Sequence, residues 1–235
     1  MLLSYLTLAT EVSEIESVFH VQYMYSFTPE FRFDSGMECS VITNESEKSV
    51  VSLPWGAQLN HKRKSRTDWI PVEGILKNPG TRSLIRIHRC IALTNCFYLK
   101  SRGEVLLFYK PSDPVLCLGG IWNIITRPGE PPVSGFALLT RPAPAKLSAF
   151  TDRVPVIVSK SRLRGFLNVK KPLMDISWIL RESYYPNLQA YTTIPGLILK
   201  DSWTRKDLLP AGEKIFKDNN QPGEQVLNTR NYFWR

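Results

Sequence analysis

From residue 20 onward the sequence is a succession of short β-rich runs, and this pattern constrains the fold more than any other feature. Seven runs are rich in β-branched, aromatic and aliphatic residues, and turns containing Gly, Pro, Ser and Asp separate them. They read ECSVIT, SVVSLPWG, IALTNCFYLK, EVLLFYK, VLCLGGIWNIIT, GFALLT and VPVIVSK. Because short turns join antiparallel neighbours, the sequence predicts a mainly antiparallel β core with few helices.

Three other stretches have the apolar spacing of a helix. In TEVSEIESVFHV, which follows the β-rich stretch SYLTLAT, apolar residues recur every three or four positions, and Thr10 is a candidate helix cap. NPGTRSLIRIHRC predicts a short helix with Arg82, Arg86 and Arg89 on its outside. A third helix is predicted in MDISWILRESY, which begins at Met174. The predicted fold class is therefore α+β, with short helices flanking the sheet core.

The length and apolar content of the chain bear on the number of domains. The 235 residues are 43% hydrophobic, which is enough for one sizeable core. We expect a single domain over residues 1–235, with a polar, mobile tail at 210–235. No apolar run approaches the ~20 residues that span a bilayer, and the first residues contain no basic leader. We therefore expect a cytoplasmic protein with no membrane partner.

The charge of the chain indicates a polyanionic partner. Its 30 Lys and Arg against 21 Asp and Glu give a formal net charge of +9, and the sequence pI is about 9.4. A balance of this sign favours nucleic acid or an anionic membrane surface as a partner.

The four cysteines, Cys39, Cys90, Cys96 and Cys117, show neither C-x-x-C spacing nor paired His ligands. Zinc sites and thioredoxin-like redox sites need those patterns. We therefore expect reduced thiols in the core, no bound metal and no cofactor.

Several short stretches stand in an order that is found in one known family. They are MLLSYLTLATEVSEIESVF at the start, Trp55-Gly56, RCIALTNCFYLK from Arg89, LGGIWN from Leu118, FALLT from Phe136 and TDRVPVI from Thr151. Over about residues 1–180, this order resembles the SRAP family, which comprises SOS response-associated peptidases and abasic site processing proteins. Each match is short, and their shared order carries the resemblance.

The resemblance implies a fold and a chemistry. It implies a mixed α/β, SRAP-like fold with a barrel-like sheet and a positively charged channel for single-stranded DNA. In the family, an N-terminal Cys forms a thiazolidine with the aldehyde of an abasic site, because one residue supplies both the amine and the thiol. Helper Asn, Glu and His side chains position the reactants and move protons.

The positions that carry this chemistry in the family hold other residues here. Leu2 stands where the family has its nucleophilic Cys, Leu99 where GFYEW has its Glu, and Thr151 where a His precedes Asp-Arg. The segment IPVEGI (Ile70–Ile75) stands where INARAE would lie and contains neither Asn nor Arg. With these changes together, we expect a pseudoenzyme without thiazolidine crosslinking, and we assign no catalytic residue.

Residues that the resemblance places along the DNA-binding face are kept. They are Trp55, Gly56, Thr140, Asp152 and Arg153. Independently of the resemblance, the basic run HKRKSR after Trp55 is the densest positive patch of the chain, and it adds Lys62, Arg63, Lys64 and Arg66 as candidate DNA-binding residues. An Arg fork can hold a phosphate, and a Trp can stack on an unpaired base. The alternative is structural: Arg153 in a strand-end ion pair, Trp55 in the core and the basic run as a solvated loop.

Three hypotheses on function follow from these patterns. The first, which the charge and the kept residues favour, is a protein that binds single-stranded or abasic-site DNA in the SOS response to DNA damage. The second is an enzyme that reacts with abasic DNA through another amine, such as Met1 or Lys100. The third is a protein-interaction scaffold with no DNA role. The oligomeric state stays open.

Overall fold

In the computed structural model, two sheets dominate the fold. The structure describes residues 3–60, 64–75, 77–101, 104–111, 113–145, 147–181, 188–193, 197 and 203–204. The strands are β1 (Leu3–Leu8), β2 (Gln22–Tyr23), β3 (Glu30–Phe33), β4 (Glu38–Thr43), β5 (Ser49–Pro54), β6 (Trp69–Pro71), β7 (Arg89–Thr94), β8 (Cys96–Ser101), β9 (Glu104–Tyr109), β10 (Leu116–Arg127), β11 (Glu130–Pro142), β12 (Arg153–Pro155) and β13 (Gln189–Thr192). The helices are α1 (Val12–Phe19), α2 (Val72–Ile75), α3 (Pro79–Ile87), α4 (Lys160–Leu167) and α5 (Leu173–Arg181).

The pairing of these strands confirms the predicted antiparallel core. The first sheet has the order β13-β9-β8-β1-β3 and is antiparallel throughout. The second has the order β12-β11-β10-β7-β4-β5-β2, with β6 added in parallel to β11 and β2 parallel to β5. The expectation of a barrel-like sheet is corrected, because neither sheet closes. Each ends on strands of only two to four residues, which offer little backbone for further pairing.

Strands β8 and β9 show how side-chain alternation positions the core. Phe97 and Phe108 point into the main core, where their rings stack with centroids 5.0 Å apart. Tyr98 and Leu107 point to the opposite face, where they join a second apolar cluster. Trp203 covers that face and packs edge-on against Tyr98 at 4.8 Å. The first sheet is thus buried on both faces here, which explains the nearly continuous apolar runs of these strands.

The three predicted helices are present as α1, α3 and α5, but the predicted cap of α1 is wrong. Glu11 occupies the N-cap position of α1 and makes no side-chain capping bond. The hydroxyl of Thr10 instead accepts a hydrogen bond from Asn95 Nδ2 at 2.6 Å, which ties the start of the helix to the β7–β8 turn.

Helix α4 is absent from the sequence prediction. The run VPVIVSK was expected to be one strand, but β12 ends at Pro155 and the chain turns into a helix at Lys160. Leu163, Phe166 and Leu167 are buried on one side of α4, and this i, i+3, i+4 spacing directly after the predicted strand is typical of a helix.

The structure also corrects the placement of Arg89. We predicted that it lies outside with Arg82 and Arg86, which are exposed, but Arg89 is fully buried at the start of β7. Its guanidinium donates to the carbonyl oxygens of Ile85 at 2.7 Å, and of Phe166 and Asn168 at 3.0 Å each. Backbone acceptors that come from distant parts of the chain therefore make the burial of this cation possible.

All four cysteines are buried and free, as predicted. Burial raises the pKa of Cys96 to about 11 and that of Cys117 to about 12, so both thiols stay protonated at neutral pH. Within the described residues, no helix is long and apolar enough to cross a membrane, and no three His, Cys, Asp or Glu residues group as metal ligands do. The predicted tail, 210–235, lies outside the described residues.

Candidate nucleic-acid interface

Arg153 is held by two protein partners at the start of β12. Its Nη1 and Nη2 donate to the two carboxylate oxygens of Glu73 at 3.1 and 2.7 Å. Its Nε donates to Thr140 Oγ1 at 3.1 Å, and its Nη2 also donates to the Thr140 carbonyl at 2.9 Å. All three guanidinium nitrogens are therefore engaged, and Arg153 can hold a phosphate through a two-pronged fork only if it gives up part of this one.

Glu73 reaches Arg153 because α2 follows directly after β6, which pairs with β11 beside Thr140. The hydrogen bonds from Arg153 hold the pKa of Glu73 below its usual range. The ion pair therefore stabilises the fold fully above the ordinary pKa of a Glu, and that contribution is lost as the pH falls through the lowered value. Glu73 belongs to the segment Ile70–Ile75, where the INARAE motif of the family would stand.

Arg141 lies beside this ion pair, one residue after Thr140 on β11. Its Nε and Nη1 are buried, and neither has a hydrogen-bond partner among the described residues. The charges of Arg153 and Arg141 both lower the pKa of Glu73, but the hydrogen bonds and the ion pair described above for that carboxylate are with Arg153. We call Glu73, Arg141 and Arg153 the Arg141 site, and it carries an excess of positive charge.

Trp55 is a core residue in this structure. Its side chain is 1% exposed, its Nε1 donates to the Asp68 carbonyl at 3.2 Å, and its ring packs edge-on against Trp69 at 5.1 Å. The base-stacking role that the sequence suggested for Trp55 is corrected, because a buried ring offers no face to a base. Trp69, which packs against it, is only half-buried.

Gly56 is required by the shape of the turn after Trp55. Its φ angle is +118°, and a Cβ here would lie 2.9 Å from Asp68 Oδ1. The turn leads into the basic run, whose two ends are joined because Ala57 and Thr67 exchange backbone hydrogen bonds of 3.0 and 2.9 Å. Gly56 thus fixes where the basic loop begins.

The described part of the basic loop lies over the β10–β11 hairpin. Lys64 and Arg66 are exposed, and Lys64 Nζ lies 2.8 Å from Glu130 Oε1. Lys62 and Arg63 lie outside the described residues. Asp152 is exposed next to Arg153. The structure thus brings Thr140 and Arg153 together near the end of β11, and it holds Lys64 at Glu130, the first residue of the same strand.

The positions that match catalytic residues of the family have structural roles where the structure describes them. Leu99 is fully buried and belongs to the main core. The Thr151 hydroxyl donates to the Arg153 carbonyl at 2.8 Å and accepts from the Arg153 N–H at 3.3 Å, which closes a local turn. Lys100 is exposed, so it lacks the desolvation that the amine hypothesis requires. Leu2 lies outside the described residues.

Sequence reasoning missed Glu73, Arg141 and Trp69. Glu73 and Arg153 are 80 residues apart, and no local pattern indicates their pairing. The sequence offers one indication of Glu73: it lies in the segment Ile70–Ile75, which aligns with the INARAE motif of the family.

Comparison with known proteins agrees with this architecture. A family model described as "SOS response associated peptidase (SRAP)" matches residues 4–194. A crystal structure of a protein from Bacteroides thetaiotaomicron is 15% identical, with a TM-score of 0.78 over 88% of this chain and 99% of that one. A protein from Bordetella bronchiseptica is 14% identical, with a TM-score of 0.69 over 80% and 98% of the two chains. A phage-related protein from the same organism is 15% identical, with a TM-score of 0.64 over 81% and 94%. These likenesses show the fold, and no curated protein matches the sequence.

Proposed function

Since this chain belongs to the SOS response associated peptidase (SRAP) family, we propose that it binds single-stranded or abasic-site DNA without forming a covalent bond. Membership of the family supports a role related to DNA damage. The proposal adds that positive side chains bind the DNA phosphates and that the chain is a pseudoenzyme. A cytoplasmic location is part of the same proposal.

The observation that carries the proposal is that the buried Nε and Nη1 of Arg141 have no hydrogen-bond partner among the described residues. Burying donors without acceptors costs free energy, and the cost is larger for a charged group. A phosphate oxygen is a strong acceptor for a guanidinium and would satisfy these donors. Because both nitrogens are buried, the contact requires the side chains that cover Arg141 to move aside. Because Glu73 is already bound by Arg153, an incoming phosphate would meet an excess of positive charge at the Arg141 site.

Two further features support binding of an extended polyanion. The chain has a net charge of +9, which attracts a nucleic acid over long range. Arg66 and Lys64 are exposed on the basic loop, where a backbone phosphate would displace counterions and compete with Glu130 for Lys64. Trp69, half-buried beside Trp55, offers part of an aromatic face to a base.

The pseudoenzyme part of the proposal is supported by what occupies the family's catalytic positions. A fully buried Leu99 supplies no proton, and the hydroxyl of Thr151 is engaged within its own turn. Restoring a Cys at Leu2 alone would leave the helper groups missing, so we expect no efficient capture by that variant.

Replacing Arg141 with glutamine is expected to weaken binding to a short single-stranded oligonucleotide. Loss of one phosphate contact would make the slope of log K against log salt concentration shallower by about 0.7. Fluorescence anisotropy over a series of salt concentrations measures both quantities. Lys48→Gln is the charge-matched control, because Lys48 is exposed at the opposite end of β5 from Trp55.

The variant Glu73→Gln should change binding in the opposite direction. It removes the negative charge that Arg153 binds and that lies within the electrostatic reach of Arg141, so affinity should rise and the dependence on salt should steepen. Arg141→Gln binding with wild-type affinity and slope would remove the Arg141 site from the proposal. If the wild-type protein fails to bind the oligonucleotide even at low salt, the scaffold hypothesis becomes the better account.

A further inference from the structure

A cleft of about 420 Å³ lies between α3 and the connection from α4 to α5. It shares no residue with the Arg141 site. Its lining residues are Arg82, Arg86, Arg89, Val169, Lys170, Lys171, Pro172, Leu173 and Met174. Five of these carry a positive charge and none carries a negative one, and the volume falls within the range of ordinary ligand pockets. We call it the α3–α5 cleft.

The buried cation Arg89 belongs to the lining of this cleft. Besides its bonds to Ile85, Phe166 and Asn168, its Nη2 lies 3.4 Å from the carbonyl oxygen of Lys171. Burial lowers the pKa of Arg89, but an Arg side chain remains protonated in proteins. Because these four acceptors are neutral carbonyls, they satisfy the donors without cancelling the charge. Arg89 therefore adds to the positive potential of the cleft.

Four exposed cations extend that potential to the surface. Arg82 and Arg86 are one turn apart on α3, and Lys170 and Lys171 face them from the α4–α5 connection. Within the described residues, none of the four lies within 4.0 Å of a carboxylate, although ion pairs at that distance occur elsewhere in the chain. Arg82 and Arg86 repel each other at this spacing, and a bound anion would relieve that repulsion.

The wall of the cleft that carries the lysines has a defined backbone. Asn168, which ends α4, accepts hydrogen bonds from the Lys170 N–H on its side chain at 3.0 Å and from the Lys171 N–H on its carbonyl at 3.2 Å. Because Arg89 binds the same carbonyl and that of Lys171, the connection is tied to the start of β7. Such pre-organisation lowers the entropy cost of binding a ligand.

The remaining lining is apolar. Val169, Pro172 and Leu173 line the cleft, and the side chain of Met174 is 83% exposed at its edge. A bare inorganic anion would gain nothing from this apolar side. A ligand that joins phosphate groups to a ring would use both sides of the cleft.

We propose that the α3–α5 cleft is a second anion-binding site, which takes adjacent phosphate groups attached to a nucleoside. Such phosphates come either from a free nucleotide or from a nucleic-acid strand. Arg82 and Arg86 supply guanidinium forks for the phosphate oxygens, Lys170 and Lys171 add point charges, and Arg89 positions the wall and adds its charge. The proposal is independent of the Arg141 site.

The test compares two probes, ADP and a short single-stranded oligonucleotide, by isothermal titration calorimetry and fluorescence anisotropy. In the double variant Arg82→Gln/Arg86→Gln, we expect affinity for the probe that binds the cleft to fall at least tenfold. Lys170→Gln/Lys171→Gln should have the same effect. Because all four side chains are exposed, melting temperatures should stay near that of the wild type. Lys48→Gln/Lys77→Gln, which removes two exposed charges elsewhere, is the control.

The outcomes distinguish a free nucleotide from a nucleic-acid strand as the ligand, and they distinguish the α3–α5 cleft from the Arg141 site. ADP binding that the cleft variants abolish indicates a nucleotide site, and it would stand even if the oligonucleotide did not bind at all. Oligonucleotide binding that is weakened by the cleft variants, and separately by Arg141→Gln, indicates a strand that contacts both sites. The inference is overturned if neither probe binds, or if both bind with affinities that the cleft variants leave unchanged.

Discussion

Replacing Arg89 with alanine is expected to lower the free energy of unfolding by about 3 kcal/mol or more. The carbonyls of Ile85 and Phe166 would lose the Arg89 donor, while that of Asn168 would keep the Lys171 N–H, and each buried acceptor left unsatisfied costs about 1–3 kcal/mol. The loss would also free the α4–α5 connection from the start of β7. Denaturant unfolding, followed by the fluorescence of the tryptophans, measures the change.

Two variants make this result specific to Arg89. Arg86→Ala removes the same type of side chain from the surface of α3, and it should change the free energy of unfolding by less than about 0.5 kcal/mol. Arg89→Lys keeps the charge but cannot form the planar fork, so its loss should be intermediate. If Arg89→Ala is as stable as Arg86→Ala, the four carbonyl contacts contribute little to the fold.

Replacing Trp55 with alanine is expected to cost about 3–5 kcal/mol of stability, because it leaves a large cavity beside Trp69 and Phe136. Trp55→Phe keeps most of the ring and should cost less. Neither change should alter DNA affinity once the fraction of folded protein is taken into account, since the ring is 1% exposed. Thermal unfolding and anisotropy on the same samples test both statements.

The result for Trp55 separates the structural reading from the base-stacking reading. Stacking contributes roughly 1–3 kcal/mol to binding and releases no counterions. A folded, stable Trp55→Ala protein that binds DNA more weakly, with an unchanged dependence on salt, would show that the ring leaves the core to meet a base. Trp69→Ala is the informative comparison, because its ring is half-buried at the same place.

The parts of the fold that follow local patterns could be predicted from the sequence. The run ECSVIT is β4 with the same bounds, and NPGTRSLIRIHRC contains α3, whose N-cap Asn78 accepts hydrogen bonds from Gly80 and Thr81. Apolar residues recur every second position in strands and every 3.6 positions in helices, so a short stretch of sequence is enough to predict these elements. The order of the short family motifs can also be found along the sequence alone, and it predicts the SRAP-like fold.

The parts that depend on distant contacts could not be predicted in this way. Arg89 resembles the exposed Arg82 and Arg86 in spacing, and its burial depends on carbonyls from about 80 residues further along the chain. The carboxylate that binds Arg153 belongs to Glu73, which lies 80 residues away in the sequence. Polar groups of the same kind lie on the surface or in the core according to tertiary contacts, which the local sequence does not contain.

The central claim, that this protein binds DNA reversibly and without covalent capture, is tested most directly with one abasic-site oligonucleotide. The protein is incubated with the oligonucleotide and with a matched intact strand, over a series of salt concentrations. Each sample is read by anisotropy and then on a denaturing gel after heating. A parallel sample with borohydride traps any Schiff base.

We predict binding at low salt to both strands, with log K falling linearly as log salt concentration rises, and no protein–DNA band after heating with or without borohydride. A heat-resistant band would show covalent capture, and a band that needs borohydride would show an amine that forms a Schiff base. Either band, or the absence of binding at low salt, would contradict the account.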